Sequence, residues 1–319
     1  MFKKIGIGAG AVLAIGAAVA LFQWDTLKAK YDGQQFRTAT TDDARTTHLQ
    51  SLMNAGEPGA KELLAVLHDG TPEQCRAVAA AFTDRFNESG DGDPVRVLVL
   101  NTLQSQHASF NEAGQQAALE LVPELLRHAG PGGADCSRKL IQQNLTGPTE
   151  AKTRAARLAT LPGVQLQQAV VVLLDDPDAG VRQAAMTVVG TGKTVETESL
   201  FRHLNDTDAT VRLLCEASLS SRGLDNEQIE AGRQLTSTDV NDRLQLLTRL
   251  HRNRKSAEFD IGPWLERLSR DAEPAVRAAA ARVGFESALA FAPWLDHLAN
   301  DPDATVRQIV AFHKAAKSR

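Results

Sequence analysis

The hydrophobic and polar positions of the C-terminal half of the chain recur with a period of about 30 residues, in the range of helical-repeat proteins. The pattern Pro-Trp-Leu-x-x-Leu begins at Pro263 and again at Pro293, and the Val-Arg pairs that follow end at Arg277 and Arg307. Earlier Val-Arg pairs, separated by the same offset, end at Arg182 and Arg212. Self-similarity at a fixed period indicates that each repeat is one supersecondary unit.

Each repeat predicts two helices joined by a tight acidic turn. The first helix ends in leucines, and the turn that follows begins with an Asp and often contains Pro. A second Asp is placed to cap the next helix, because a carboxylate accepts backbone N–H groups at a helix N-terminus. Small apolar residues such as Ala278 and Val283 line the second helix, so that two helix layers can approach closely. The pattern therefore predicts an all-α chain.

A recurring arginine lies in the first turn of each second helix, where the helix dipole disfavours a cation. Its recurrence predicts a partner, and the simplest partner is an Asp in the turn of the same or the adjacent repeat. We assign this ladder of charge-assisted hydrogen bonds, together with the helix caps, a structural role. The ladder and cap residues are Asp176, Asp178, Arg182, Asp206, Asp208, Arg212, Asp271, Arg277, Asp301, Asp303 and Arg307.

This arrangement resembles the HEAT-like repeat, in particular the short form found in phycobilisome lyase-type proteins. The resemblance is good over residues 164–319 and weaker from about residue 58, where a leucine-rich stretch leads through an acidic turn to Arg76. It implies an α-solenoid of about eight helix pairs over residues 41–319. If the layering follows the family, the second helices line a concave surface that includes Gln183, Arg243 and Gln308.

The chain carries no charged residue from Ile5 to Phe22, directly after Lys3 and Lys4. The length of this run is near the lower limit for a membrane-spanning helix, and the two preceding lysines predict a cytoplasmic N-terminus with the body exported. We favour an uncleaved signal anchor over residues 1–24, with Trp24 at the interface and residues 25–40 as a stalk. The predicted location is the inner (cytoplasmic) membrane, single-pass; the alternative is a signal peptide cleaved near Ala20, which leaves a secreted or periplasmic protein.

Composition fits this architecture. The 319 residues are 43% hydrophobic but only 5% aromatic, as expected for helix layers packed through alanine and leucine. The formal net charge of −4 becomes −6 without the first 24 residues, which carry two lysines and no acid. A chain of this charge shows no basic footprint for nucleic acid, and the acidic body gives a weak bias towards a basic or neutral partner.

Several motifs resemble chemical sites without completing them. Residues 190–194 resemble the tail of a phosphate-binding loop, but Thr187 stands where its first glycine is required. Residues 87–98 resemble a calcium loop whose twelfth position, a bidentate Glu in such loops, is Leu98. No histidines form HExxH or HxH, and isolated surface histidine is the favoured interpretation. We therefore predict no metal or cofactor site.

Cysteine chemistry is not predicted either. Cys75 and Cys215 occupy small apolar positions of their repeats and are expected in the core, too far apart to pair. Cys136 lies near a predicted helix start, where a thiolate can be stabilised, but no accompanying residues mark it as a nucleophile. We therefore predict no catalytic residue.

Taken together, the patterns predict a membrane-tethered or exported repeat scaffold that binds a protein or peptide partner and is not an enzyme. Two alternatives stay open. One is a structural spacer without a stable ligand. The other is a repeat-family enzyme such as a bilin lyase or DNA glycosylase, which the export segment and the acidic charge disfavour.

Overall fold

A computed structural model describes residues 24–90, 92–190, 195–253, 260–287 and 293–317. All regular secondary structure in these ranges is helical, which confirms the predicted all-α class. The predicted membrane segment and residues 191–194 of the motif that resembles a phosphate-binding loop lie outside the described residues. Among the described helices, none is both long and apolar enough to cross a membrane.

The chain divides into two compact units, Met1–Val188 and Val189–Arg319. This division differs from the single array predicted over residues 41–319. The repeat signature is clearest in the second unit, which we call the C-terminal unit; the first is the N-terminal unit.

The N-terminal unit contains helices α1 to α10 and most of α11. The described part of α1 covers residues 24–38. The following helices are α2 (Asp42–Asn54), α3 (Glu57–Asp69), α4 (Pro72–Glu88), α5 (Pro94–Gln106), α6 (Glu112–Glu120), α7 (Val122–His128), α8 (Gly130–Asn144), α9 (Thr149–Leu158), α10 (Gln167–Val170) and α11 (Ala179–Gly190).

The C-terminal unit alternates shorter first helices with longer second helices. Its elements are α12 (Thr197–Leu200), α13 (Ala209–Ser221), α14 (Asn226–Leu235), α15 (Val240–Asn253), α16 (Gly262–Leu268), α17 (Pro274–Phe285), α18 (Trp294–His297) and α19 (Ala304–Lys317). The first helices α12 and α18 continue into 3-10 turns. The second helices α15, α17 and α19 contact one another in that order.

Aliphatic and small residues fill the core of the C-terminal unit, among them Leu250, Leu265 and Ala280. The two repeat-equivalent tryptophans pack differently. Trp294 is buried and its ring lies against Gly284, whereas the Trp264 ring stacks on Phe201 with a centroid distance of 5.5 Å. Repeat-equivalent positions therefore do not guarantee equivalent packing here.

Residues 25–40, expected to form a stalk, are mostly helix α1 packed into the N-terminal unit. Ala29, Asp32 and Phe36 are buried on one face of α1. The Asp32 carboxylate accepts a hydrogen bond of 2.6 Å from Ser51 Oγ and lies 3.0 Å from His48 Nδ1, both on α2. The stalk prediction was wrong because the spacing of these three residues places them on one helical face that α2 can cover.

Candidate protein interface

Two aspartates shape each of the three repeated turns that begin at Asp176, Asp206 and Asp301. The carboxylate of Asp301 accepts the N–H of Asp303 at 2.8 Å, and the carboxylate of Asp303 accepts the N–H of Val306 at 3.2 Å. The first aspartate thus closes the turn, and the second caps the next helix. The same pair of contacts is made at Asp176 and Asp178, and at Asp206 and Asp208.

The recurring arginine ties its helix to the turn that precedes it. In Arg277, Nη1 donates to the carbonyl oxygens of Asp271 and Ala272, at 2.8 and 2.9 Å. These carbonyls lie next to the end of the preceding helix, where backbone acceptors lack intrahelical partners. These backbone partners differ from the carboxylate partner that the sequence predicts. Equivalent Nη1 bonds are made by Arg182, Arg212 and Arg307.

The other edge of the Arg277 guanidinium forms a bidentate pair with Asp301. Both N···O distances are 2.8 Å, and the two side chains are 11% and 4% exposed. The hydrogen bonds from Arg277 hold the pKa of Asp301 below its ordinary value, although burial opposes this. The same pairing raises the pKa of Arg277. This contact joins one turn to the next and keeps both groups charged.

Two cations missed by the sequence analysis make the same kind of contact. Arg243, expected on the concave surface if the layering follows the family, pairs with Asp271 at 2.8 and 3.3 Å. Lys152 Nζ lies 2.7 Å from the carboxylate of Asp176. Lys152 precedes Arg182 by the same offset that separates Arg182 from Arg212, so the period itself could have identified it.

Two further arginines of the N-terminal unit, Arg96 after Val95 and Arg76 after Cys75, differ in their contacts. Arg96, in a Val-Arg pair the sequence analysis did not use, is buried and donates to the carbonyl oxygens of Phe86, Ser89 and His128 at 2.9–3.1 Å. Arg76 is exposed, and its Nε donates to Pro72 within its own helix. Of these two arginines, Arg96 fastens one helix end to another and Arg76 does not.

A groove of about 600 Å³ lies between α2 and α4 in the N-terminal unit. Leu49 and Met53 of α2 and Ala77 and Ala81 of α4 line it, and none of these side chains is fully buried. One end carries the acidic side chains Asp84 and Glu88 beside Arg85. The groove thus combines apolar side chains with the polar Thr46, Gln50 and Asn54 of α2 and with acidic side chains near the C-terminal end of α4.

Two smaller grooves are found among the described residues of the C-terminal unit. One of about 410 Å³ lies between α13 and α14 and includes the exposed Leu213. The other, of about 280 Å³, lies between α17 and α19 and includes the exposed Phe312. Gln308, assigned to the concave surface from the sequence, lines this second groove.

The described cysteines are thiols in an apolar setting. All three are free and buried, as expected for Cys75 and Cys215. Burial raises the pKa of Cys136 to about 12, so the thiolate stabilisation expected near its helix start is absent. That expectation was wrong because Cys136 lies well inside α8, away from the N–H groups that would stabilise a thiolate. Among the described residues, no group of three or more His, Cys, Asp or Glu side chains could hold a metal ion.

Two histidines contradict the surface interpretation. His107 and His203 are both buried. The Asn144 side-chain amide lies 3.1 Å from His107 Nε2 and also donates to the Leu140 carbonyl oxygen, and burial lowers the pKa of His107. An isolated histidine in a sequence does not reveal that a neighbouring helix will cover it.

No protein-family model matches the chain, and no curated protein matches it. The resemblance to HEAT-like repeats stays a prediction.

Proposed function

We propose that the protein is a membrane-tethered helical-repeat scaffold that binds a segment of another protein in the groove between α2 and α4. The observation that carries this proposal is the groove itself, with its apolar and acidic lining residues. Its volume is within the range of about 300–1,000 Å³ that is typical of ligand-binding clefts.

The groove chemistry favours a helical segment with apolar and basic side chains. Grooves between helices bind amphipathic helices through side chains spaced three or four residues apart. Met53 suits such a surface, because its flexible thioether adapts to different partners. Asp84 and Glu88 at one end would meet a lysine or arginine of the partner. The net charge of −6 for residues 25–319 also favours a basic partner.

The fold supports a scaffold role through its turns. The Arg277–Asp301 and Arg243–Asp271 pairs hold successive helices of the C-terminal unit in register. A rigid set of helices costs little ordering entropy when a partner binds. The tether is residues 5–22, which place the body on the exported face of the inner membrane in this proposal.

Site-specific photo-crosslinking in native membranes tests the proposal. A photoreactive residue at Ala80, in the groove, should give one discrete crosslinked adduct, and the same residue at the exposed Thr248 on α15 should give none. The double variant Asp84→Lys with Glu88→Lys should weaken the Ala80 adduct. A groove that yields no adduct in membranes would favour the structural spacer.

A further inference from the structure

Helix α1 has two faces of opposite character. Ala29, Asp32 and Phe36 are buried against the N-terminal unit. On the other face Trp24, Leu27 and Tyr31 are 66%, 63% and 60% exposed. Their spacing of three and four residues places the second set in one stripe. We call it the α1 stripe.

The α1 stripe is the densest group of exposed large hydrophobic side chains among the described residues. Seven such side chains stand out in the described ranges, and three of them lie within eight residues of this one helix. Two of the three are Trp and Tyr, the residues enriched where a membrane meets water. A contiguous exposed apolar surface on a folded unit marks an interaction site.

Lysines border the α1 stripe on both sides. At about 100° per residue, Lys28 lies on one side of the stripe and Lys30 on the other, and both are exposed. Lysine side chains at such positions extend along apolar surface and place their ammonium groups among lipid phosphates. The uncharged run 5–22 ends two residues before Trp24. A lipid headgroup layer is therefore the surface that both the charge and the chain continuity favour.

We propose that α1 lies along the bilayer interface, with the α1 stripe in the headgroup region, and so docks the N-terminal unit on the membrane. This rests on the tether in the proposed function. Trp24 and Tyr31 are about 10 Å apart along the helix axis, at about 1.5 Å per residue. The headgroup layer of one leaflet is only about 5–8 Å thick. A helix standing upright would lift Tyr31 out of the layer, so all three side chains reach it only if α1 lies along the membrane.

The docked helix also positions the proposed groove. The buried face of α1 holds α2 through the contacts from Asp32 to Ser51 and His48. Leu49 and Met53 of the same α2 line the groove. The partner therefore binds beside the membrane surface.

Fluorophore quenching on the full chain in vesicles tests this docking. The native cysteines are buried, so a bimane label reports an introduced thiol at Leu27→Cys, at Tyr31→Cys, or at the control Asn101→Cys on an exposed position of α5. The vesicles contain phosphatidylglycerol and brominated phosphatidylcholine. We expect brominated lipid to quench positions 27 and 31 and aqueous iodide to lose access to them, while position 101 shows the reverse.

Three outcomes would overturn the docking. If positions 27 and 31 are as open to iodide as position 101 while the protein floats with the vesicles, the tether stands and the docking fails. If the two positions are shielded from iodide without quenching by brominated lipid, protein rather than lipid covers the stripe. If the protein does not float with vesicles at all, the tether itself fails, and the docking fails with it.

Discussion

The two units join their helices by different means. In the C-terminal unit, charged side chains make the joints, as in the Arg277–Asp301 pair. In the N-terminal unit, backbone often meets backbone directly. The N–H of Asn111 donates to the Leu67 carbonyl oxygen at 3.1 Å, and Gly114 in the first turn of α6 lies so close that a Cβ there would overlap the same oxygen.

The difference explains why only one half of the chain shows a clear period. A joint made by an arginine and an aspartate needs those residue types at fixed positions in every repeat, and the pattern is visible in the sequence. A close backbone contact between two helices needs only a glycine at the point of contact. In a sequence, a single glycine also indicates a loop, so it does not identify such a contact. The N-terminal helices are therefore just as specifically placed, but by contacts that leave little trace in the sequence.

The largest expected loss of stability comes from disrupting the backbone contact between α6 and Leu67. Gly114→Ala should lower the free energy of unfolding by about 3 kcal/mol, because a carbonyl oxygen cannot move aside as a side chain can. The control is Gly90→Ala, where a Cβ meets nothing within 4 Å. Urea unfolding gives the free energies, and hydrogen exchange should show faster exchange in α3 and α6 but not in α15 to α19. Equal stability of the two variants would show that α6 can move away from the Leu67 carbonyl oxygen at little cost, and would contradict the prediction.

The next largest loss of stability comes from removing the Arg277–Asp301 pair. Arg277→Ala should cost about 2 kcal/mol, because it leaves a buried carboxylate and two carbonyl oxygens without their donor. The matched control is Arg270→Ala, which removes an exposed pair with Glu266 and should cost less than about 0.5 kcal/mol.

Arg277→Lys separates charge from geometry at the same joint. Lysine keeps the positive charge but lacks the planar guanidinium that binds a carboxylate through two parallel hydrogen bonds. The stability of this variant should therefore lie between those of the wild type and Arg277→Ala. If the two alanine variants unfold at the same urea concentration, the ladder is not a stabilising element.

A smaller effect is the dependence of stability on pH through the buried His107. The folded-state pKa of His107 is lowered by burial from an ordinary value of 6.5, so the unfolded chain binds this proton more readily than the folded one. The stability contributed by neutral His107 is therefore fully present above pH 6.5 and is lost as the pH falls below it. Hydrogen exchange in α5 and α8 at a series of pH values measures this. His107→Gln should flatten the dependence in these helices, and an unchanged slope would exclude His107 as its source.

The smallest expected effect comes from strengthening the Lys152–Asp176 pair of the N-terminal unit. Lys152→Arg should stabilise by up to about 0.5 kcal/mol, because a guanidinium can bind Asp176 through two parallel bonds where the ammonium makes a single bond. Lys152→Met should destabilise, and urea unfolding compares the two. A loss of stability in the arginine variant would show that position 152 lacks room for the fork.

Sequence reasoning reached the class of the fold and the local chemistry of the turns. It placed Asp178, Asp208 and Asp303 as helix caps, and each accepts the N–H of a residue three positions later. It missed the packing of α1, the burial of His107 and the pairing of Arg243, which all depend on a neighbouring helix. The Gly-Pro-Gly-Gly sequence of residues 130–133 is typical of a loop, yet these residues form the first turn of α8.

The sequence by itself determined that this protein is helical and where its acidic turns lie, because a cap or a turn depends on residues two to six positions apart. The tertiary structure alone decided which face of α1 is covered, which carboxylate each arginine meets, and where a groove stays open. Those outcomes depend on contacts between residues 16 to 41 positions apart, such as His48 with Asp32 and Asn111 with Gly70. A one-dimensional pattern does not encode which of several exposed faces a second helix will cover.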